Sequence, residues 1–162
     1  MVEEDPVELQ QRARALRDRH DHLLLATADA RGEPQIGTVP YLLDEDDAFC
    51  IYVSELAAHT RNLMVRPRTS VLFAQPEAEM RNPFARRRLV LQCRAQRLDG
   101  AAAERRLERM EARFGQTLGL LRRLPDFHLF RLEVESGRYV EGFGRAWTVR
   151  GNELRIDGSS GG

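Results

Sequence analysis

Residues 22–53 read HLLLATADARGEPQIGTVPYLLDEDDAFCIYV. Three largely apolar runs alternate here with two turn-like stretches, which is the pattern of consecutive antiparallel strands. The predicted strands cover residues 23–28, 35–43 and 49–53, and the turns cover 29–32 and 44–47. Because Pro40 has no N–H to donate to a ladder, the second strand should be bulged or lie at a sheet edge near that residue. The stretch therefore predicts a β-meander.

The rest of the chain continues this pattern with added helices. Asp5 and Pro6 are typical of a helix start, with Asp as N-cap and Pro in the first turn. The later predicted elements are a short helix (55–64), strands (69–75, 87–98 and 127–134), a helix (101–114), a helical turn (118–124) and a hairpin (139–149). Six or more antiparallel strands with peripheral helices predict an α+β fold, a closed or nearly closed barrel of about six strands. We expect one domain over residues 1–150 and a flexible Gly/Ser tail over 151–162.

The composition is that of an ordinary globular protein of 162 residues, 42% hydrophobic and 31% charged. Twenty-five basic residues balance twenty-five acidic ones, whereas nucleic-acid-binding proteins usually have a basic surplus. Neither a signal peptide nor an apolar run near the roughly 18 residues of a membrane span is seen. Cys50 and Cys93 lie in apolar or alternating runs and are expected to be buried, reduced thiols. We therefore expect a cytoplasmic protein with neither a nucleic-acid nor a membrane partner.

All basic residues other than the four histidines are arginines, because the sequence contains no lysine. Base composition of the genome is the simplest origin of this bias. Its physical consequence is that guanidinium groups, histidines, hydroxyls or backbone N–H groups must hold any anion.

The first candidate site follows the third predicted strand. Ser54 precedes the predicted helix 55–64, and His59, Thr60 and Arg61 lie within it. Backbone N–H groups at a helix N-terminus attract phosphate or carboxylate, and Arg61 offers a bidentate donor. The alternative is that Ser54 only caps the helix and Arg61 is solvated.

Two further candidates lie later in the chain. Successive strand residues face opposite sides, so Arg86 and Arg88 should share one face, which either clamps an anion or forms a charged sheet edge. Asp126 precedes a strand, where it is either a turn residue or the support of a ligand or imidazole. His20 and His22 are weak as a metal pair, and no metal site or catalytic set is predicted.

Taken together, these segments resemble the pyridoxamine 5′-phosphate oxidase-like, FMN-binding split-barrel superfamily. The resemblance starts at residues 23–34 and continues through Ser54, residues 59–63 and Pro67. Within the superfamily the chain is similar to the haem-utilisation family called HugZ or HutZ. That similarity is carried by residues 84–89, 113–115, 126–132 and 137–146.

The resemblance implies a homodimer with two equivalent cofactor sites at the subunit interface. In flavin-binding relatives the segment matching Ser54, His59, Thr60 and Arg61 lies around the FMN phosphate. In the haem family, residues matching His59, Asp126 and one of Arg86 or Arg88 line or support a haem pocket in the dimer cleft. Members of that family also have a C-terminal histidine that ligates iron, but no residue after Trp147 is histidine. Either such a tail is missing, or another residue ligates iron, or no haem binds.

Three functions are consistent with these patterns. The first is a haem-utilisation protein that binds haem at the dimer interface and possibly opens it oxidatively, and the second is an FMN-dependent oxidoreductase. The third is a haem- or flavin-binding module without turnover, which remains open because no acid–base pair stands out. The sequence identifies neither an electron donor nor a product.

Overall fold

The computed structural model describes residues 3–159, which contain nine strands, four α-helices and two short 3-10 helices. The helices are α1 (Pro6–Asp18), α2 (Ala58–Val65), α3 (Gly100–Phe114) and α4 (Gln116–Leu121). The strands are β1 (His22–Ala28), β2 (Pro34–Pro40), β3 (Leu42–Leu43), β4 (Phe49–Ser54), β5 (Arg68–Ala74), β6 (Arg88–Leu98), β7 (Phe127–Gly142), β8 (Arg145–Arg150) and β9 (Arg155–Ser159).

The strands form one antiparallel sheet in the order β2-β1-β5-β6-β7-β4-β3, with β8 on β7 and β9 on β8. The α+β split barrel predicted from the sequence is confirmed. Two details differ. The sheet is not closed, because β2 and β3 end its main path without pairing with each other in the described part of the chain, and it has nine strands instead of about six.

The meander predicted over residues 22–53 is present, and its proline acts as expected. β2 ends at Pro40, and a separate strand resumes at Leu42. β2 pairs only with β1 among the described strands, so Pro40 lies in an edge strand, where a missing N–H costs no ladder bond. The first turn is closed by Asp29, whose Oδ1 accepts from the N–H groups of Arg31 and Glu33 at 2.8 and 2.9 Å.

Both ends of the described chain join the core. Asp5 caps α1 by accepting from the Val7 N–H at 2.9 Å, and α1 buries the apolar stripe that includes Leu9 and Ala13. At the other end, β9 lies within the stretch expected to be a flexible tail, and Leu154 and Ile156 are buried in the main core. Residues 160–162 of that tail lie outside the described residues.

The sheet separates two apolar clusters, because neighbouring residues of a strand face opposite sides. The main core, inside the barrel, takes one alternating set from each strand, such as Ile51 and Val53 of β4. On the outer face, α3 and α4 pack over β4 and the first half of β7. This second cluster contains Cys50, Ala103, Leu107, Met110, Leu118 and Leu129. We call this region the covered half of the outer face.

The remaining outer face, on β1, β5 and β6, is called here the open half. Leu24 pairs with Leu72, and Leu72 with Val90, so the three residues form one row across the strands. Each alternates with core residues, is half-buried, and belongs to neither apolar cluster. On the adjoining edge strand, Ile36 is 71% exposed. The open half thus carries one apolar row beside polar residues such as Ser70 and Gln92, without a helix of its own.

Close backbone packing at Gly137 joins β7 to β6. A Cβ atom at this position would lie 2.2 Å from the carbonyl oxygen of Val90 and 2.8 Å from a methyl group of Leu91. The strand register shifts nearby, between Gln92 and Cys93. A side chain at residue 137 would therefore force the two longest strands apart.

Candidate functional site

The centre of the site is a hydrogen bond between residues 72 positions apart in the chain. Ser54 ends β4 opposite Phe127, the first residue of β7, and this register brings Asp126 beside Ser54. The Ser54 hydroxyl donates to Asp126 Oδ2 at 2.6 Å, and the Glu55 N–H donates to the Asp126 carbonyl oxygen at 2.8 Å. Two candidates from separate sequence segments are thus in direct contact.

Ser54 does not cap α2. That helix begins at Ala58, three residues later than predicted, with Ala57 as an N-cap that makes no side-chain bond. The Ser54 Oγ instead accepts from the Leu56 N–H at 3.1 Å, in the turn before the helix. Its hydroxyl hydrogen is therefore available to Asp126.

A carboxylate–imidazole pair lies beside this bond, and the sequence analysis missed it. His128 pairs with Val53, and its Nε2 lies 2.5 Å from Glu55 Oε1. The His128 side chain is only 10% exposed, whereas that of Glu55 is 50% exposed. The strand register could have revealed the pair, because alignment of β4 with β7 places Glu55, the residue after Ser54, close to His128.

His128 also lines a cavity of about 230 Å³ under the N-terminal turn of α3. Tyr52 and Phe127 form part of its wall, with ring centroids 5.2 Å apart. The cavity is therefore lined by Pro125 and Phe127, the two sequence neighbours of Asp126.

The three candidates on α2 have different environments. His59 is half-buried beside Gly37, and burial lowers the pKa of its imidazole, which favours the neutral form. Arg61 is exposed, and its Nη1 donates to the Glu55 carbonyl oxygen at 2.7 Å, so it belongs with Ser54 and Asp126. Thr60 is fully buried, and its hydroxyl has no hydrogen-bond partner among the described residues.

Arg86 and Arg88 lie apart from this group. Arg86 follows a 3-10 turn, and β6 begins only at Arg88. The prediction that both share a strand face does not apply, because Arg86 is outside the strand. The Arg86 Nε donates to the Gln75 carbonyl oxygen at 2.8 Å, and Arg88 Nη1 donates to the Arg86 carbonyl oxygen at 3.1 Å.

The seven predicted residues therefore fall into two groups within one chain. Ser54, Arg61 and Asp126 are joined through the backbone of Glu55, with His59 and Thr60 on the adjacent helix. Arg86 and Arg88 form the second group. Within residues 3–159 the two groups share no hydrogen bond.

Metal coordination by side chains alone has no support at either group. Among the described residues, no three histidine, cysteine or carboxylate side chains cluster as metal ligands. Cys50 and Cys93 are buried, unpaired thiols, as predicted, and burial raises the pKa of both, to about 11 and about 12.

Comparison with known proteins agrees with the fold. Residues 9–141 match the sequence profile of the family described as pyridoxamine 5′-phosphate oxidase. The chain belongs to this family. Within the family it is similar to the haem oxygenase HutZ of Vibrio cholerae, with 35% identity over 148 residues that cover 90% of this chain and 84% of HutZ.

Solved structures extend the similarity to three dimensions. HutZ from V. cholerae, described as a haem storage protein, aligns with a TM-score of 0.75 and 34% identity over 84% of this chain and 96% of HutZ. Campylobacter jejuni ChuZ aligns with a TM-score of 0.83 and 26% identity over 99% of this chain, which spans 66% of the ChuZ chain. A haem-binding protein from Mycobacterium smegmatis aligns with a TM-score of 0.71 and 29% identity over 95% of this chain and 61% of its own. The resemblance to the haem-utilisation family is thereby confirmed.

Among residues 3–159, no helix combines the length and the apolar character needed to cross a membrane.

Proposed function

We propose that this chain binds haem between the two subunits of a homodimer. The observation that carries the proposal is the 35% identity to the haem oxygenase HutZ over most of both chains. The hydrogen bond from Ser54 that holds Asp126, a candidate for the haem site, supports it. We place the protein in the cytoplasm, where free thiols such as Cys50 and Cys93 remain reduced.

The residues present suit a haem group. Iron in haem proteins is commonly held by a neutral imidazole, and burial favours the neutral form of His59. Asp126 is held in place by Ser54 and would orient or support a ligand of the haem, while Arg86 or Arg88 would pair with its carboxylates. Haem, when bound, would supply the iron chemistry, and the protein would supply binding, orientation and exclusion of water.

A homodimer accounts for the two separate groups of candidates. The open half carries the apolar Leu24–Leu72–Val90 row, lacks a helix, and adjoins the exposed Ile36. Association of two chains through such surfaces would bury them and bring the Arg86 group of one chain towards the Ser54 group of the other. The site would then be complete only in the dimer.

The first experiment is a titration of the purified protein with haem, followed by its Soret absorbance. We expect a saturable band, and Asp126→Ala should weaken binding or shift the band by changing the surroundings of the iron. Glu33→Gln, which changes an exposed carboxylate on the β1–β2 turn, is the control and should match the wild type. No saturable band at micromolar haem would contradict the proposal.

Turnover is tested separately, because the same relative is called both a haem oxygenase and a haem storage protein. With ascorbate and oxygen, an oxygenase would lose its Soret band over time. A storage protein would keep the band under the same conditions.

FMN is the second candidate cofactor. The observation in its favour is the position of His59 and Arg61 in the first turn of α2, where N–H groups and a guanidinium suit a phosphate. The buried Thr60 would have to rotate or shift to contribute. Saturable quenching of FMN fluorescence without any response to haem would support an FMN-dependent oxidoreductase instead.

A further inference from the structure

A cleft at the border of the open half brings two histidine rings together. It has a volume of about 190 Å³ and is lined by His20, His22, Leu24, Leu72, Phe73, Ala74 and Arg86. His20 precedes β1, His22 is its first residue, and their ring centres are 6.3 Å apart. We call these two residues the His20–His22 pair.

One ring nitrogen of His20 is anchored and the other is not. Burial lowers the pKa of His20 and favours the neutral imidazole, although a hydrogen bond with the Ala74 backbone acts in the opposite direction. A bond that favours the protonated ring is donated by the ring, so its acceptor is the Ala74 carbonyl oxygen. Because Nε2 is buried without a hydrogen-bond partner in the described part of the chain, the donor is Nδ1. The neutral ring therefore has its lone pair at Nε2.

His22 is anchored in the same way by a carboxylate. Its Nδ1 lies 2.8 Å from Asp21 Oδ1, and this hydrogen bond lowers the pKa of Asp21, so the carboxylate is ionised and the ring donates. Within residues 3–159 the Nε2 of His22 makes no recorded hydrogen bond, and in the neutral ring it carries the lone pair. Both rings thus have Nδ1 held by an oxygen and Nε2 left as a lone-pair donor, which is the usual arrangement of metal-binding histidines.

The spacing of the two rings suits a shared metal ion. An imidazole nitrogen binds zinc at about 2.0–2.1 Å, so two rings on one tetrahedral ion have centres about 5 Å apart, and a wider angle at the metal extends this to about 6 Å. The observed 6.3 Å lies at the wide end of that range. The side chains of His22 and Asp21 are 52% and 74% exposed, which leaves both room to turn towards His20.

The donor set limits which metal ion fits. Imidazole nitrogen suits Zn²⁺, Cu²⁺ and Ni²⁺, whereas Ca²⁺ and Mg²⁺ prefer oxygen ligands, and no carboxylate lines the cleft. Because no third histidine, cysteine or carboxylate joins the pair within residues 3–159, an ion would keep open positions for water or a small anion. Arg86, which is positively charged and lines the same cleft, favours an anion at one of those positions.

We propose that the His20–His22 pair binds a divalent ion of the zinc, copper and nickel group through the two Nε2 atoms. Asp21 and the Ala74 carbonyl oxygen act as positioning groups that fix the tautomers. In the sequence the pair is a weak metal motif, and the anchoring of both Nδ1 atoms is what the fold adds. The proposal is independent of haem binding, because it needs neither a tetrapyrrole nor a second subunit.

The first test is a calorimetric titration of the purified protein, carrying no histidine tag, with Zn²⁺ in a buffer that does not chelate metals. Wild-type protein should bind one ion per chain. His22→Asn should weaken binding about tenfold or more, because one of two protein ligands is lost. Asp21→Ala should weaken it about tenfold, which is typical when the group that orients a metal-binding histidine is removed. Glu33→Ala, which removes an exposed carboxylate on the β1–β2 turn, is the matched control and should keep the wild-type affinity.

The second test locates the ion by NMR of the imidazole nitrogens during the same titration. The Nε2 signals of His20 and His22 should shift saturably, while both Nδ1 atoms stay protonated. The signals of His59 and His128, which lie outside the cleft, should not move and serve as internal controls. Thermal unfolding of each variant checks that it is folded.

Three results would overturn the proposal. The first is the absence of saturable zinc binding, and the second is an affinity that His22→Asn leaves unchanged. The third is a shift at His22 without one at His20, which would show an ordinary surface histidine rather than a shared site.

Discussion

The covered and open halves of the outer face are built from the same sheet, yet they are completed in different ways. In the covered half, Met110 and Leu118 pack on Cys50 and Leu129, and all four are at most 6% exposed. In the open half, the Leu24–Leu72–Val90 row remains half-buried with no helix above it. Whether an outward-facing strand residue becomes buried thus depends on which later segments of the chain pack over it. One half is covered by helices of the same chain, whereas the apolar row of the other half has no such cover among residues 3–159.

The largest effect is expected from Met110→Ala, which removes the centre of the covered half. Met110 is 1% exposed, and truncating a buried Met to Ala typically costs about 2–5 kcal/mol of unfolding free energy. Urea denaturation should show a loss of about 3 kcal/mol. Leu120→Ala, on the exposed side of α4, is the control and should change stability by about 0.5 kcal/mol or less. Equal losses for the two variants would mean that α3 does not cover the sheet as described.

The second-largest effect on stability is expected at Asp44, whose ionic contacts with arginines hold α3 in place. Asp44, 7% exposed, accepts from Arg106 at 2.8 Å and from Arg131 at 3.1 Å, and Arg109 lies 3.4 Å away. Burial alone would raise the pKa of Asp44, but hydrogen bonds from Arg106, the Glu45 backbone and Arg131 outweigh it and lower the pKa below 3.8. The ionised carboxylate is therefore favoured by folding.

Asp44→Asn should accordingly destabilise the protein by about 2 kcal/mol at neutral pH. A carboxyl group with a lowered folded-state pKa stabilises the protein above its unfolded pKa, 3.8, and loses that contribution as the pH falls further. The difference between variant and wild type should shrink below about pH 4 when both are unfolded by urea across a pH series. A difference that stays constant from pH 7 to pH 3 would assign the loss to packing rather than charge.

The smallest effect on folding is expected in the open half. Leu72→Ser removes the middle of the apolar row, but the side chain is only half-buried in one chain, so stability at low protein concentration should fall by about 1 kcal/mol or less. Its effect should instead appear in association. Sedimentation equilibrium should give a dimer for wild type and a species near 18.6 kDa, the mass of one chain, for the variant. Ser70→Ala, an outward-facing neighbour on β5, should remain dimeric. A Leu72→Ser variant as dimeric as wild type would place the interface elsewhere.

The elements of the covered and open halves were largely predictable, because their signals are local. Alternation in β1, the break at Pro40 and the cap at Asp5 each depend on a few neighbouring residues, and each is found in the structure. β9 was not predicted, because residues 151–159 form a short, mostly polar stretch in which Leu154 and Ile156 are the large apolar residues. Their burial depends on distant segments, because β9 pairs with β8 and α1 packs against it.

The contacts among the candidate residues were not predictable from the sequence. Ser54 and Asp126 were separate candidates, and only the pairing of β4 with β7 brings them into contact. That pairing joins segments more than seventy residues apart, which no local pattern encodes. Arg86 was misplaced on a strand face because three consecutive arginines give no signal for where β6 starts. Its proximity to His20 and His22 likewise arises only from the folded sheet.

Gly137 has a consequence for genetics. Any side chain at this position would collide with the backbone carbonyl oxygen of Val90. A backbone atom, unlike a side chain, cannot move aside by changing rotamer. In a saturation mutagenesis screen this codon should therefore tolerate no replacement, whether small, large, polar or apolar. Gly115, where an added Cβ would meet no atom within 4 Å, should reject replacements for a different reason, because its φ of 76° and ψ of −153° lie in a region that is essentially restricted to glycine. The two glycines are thus required for different reasons, a close backbone contact at residue 137 and a backbone conformation at residue 115.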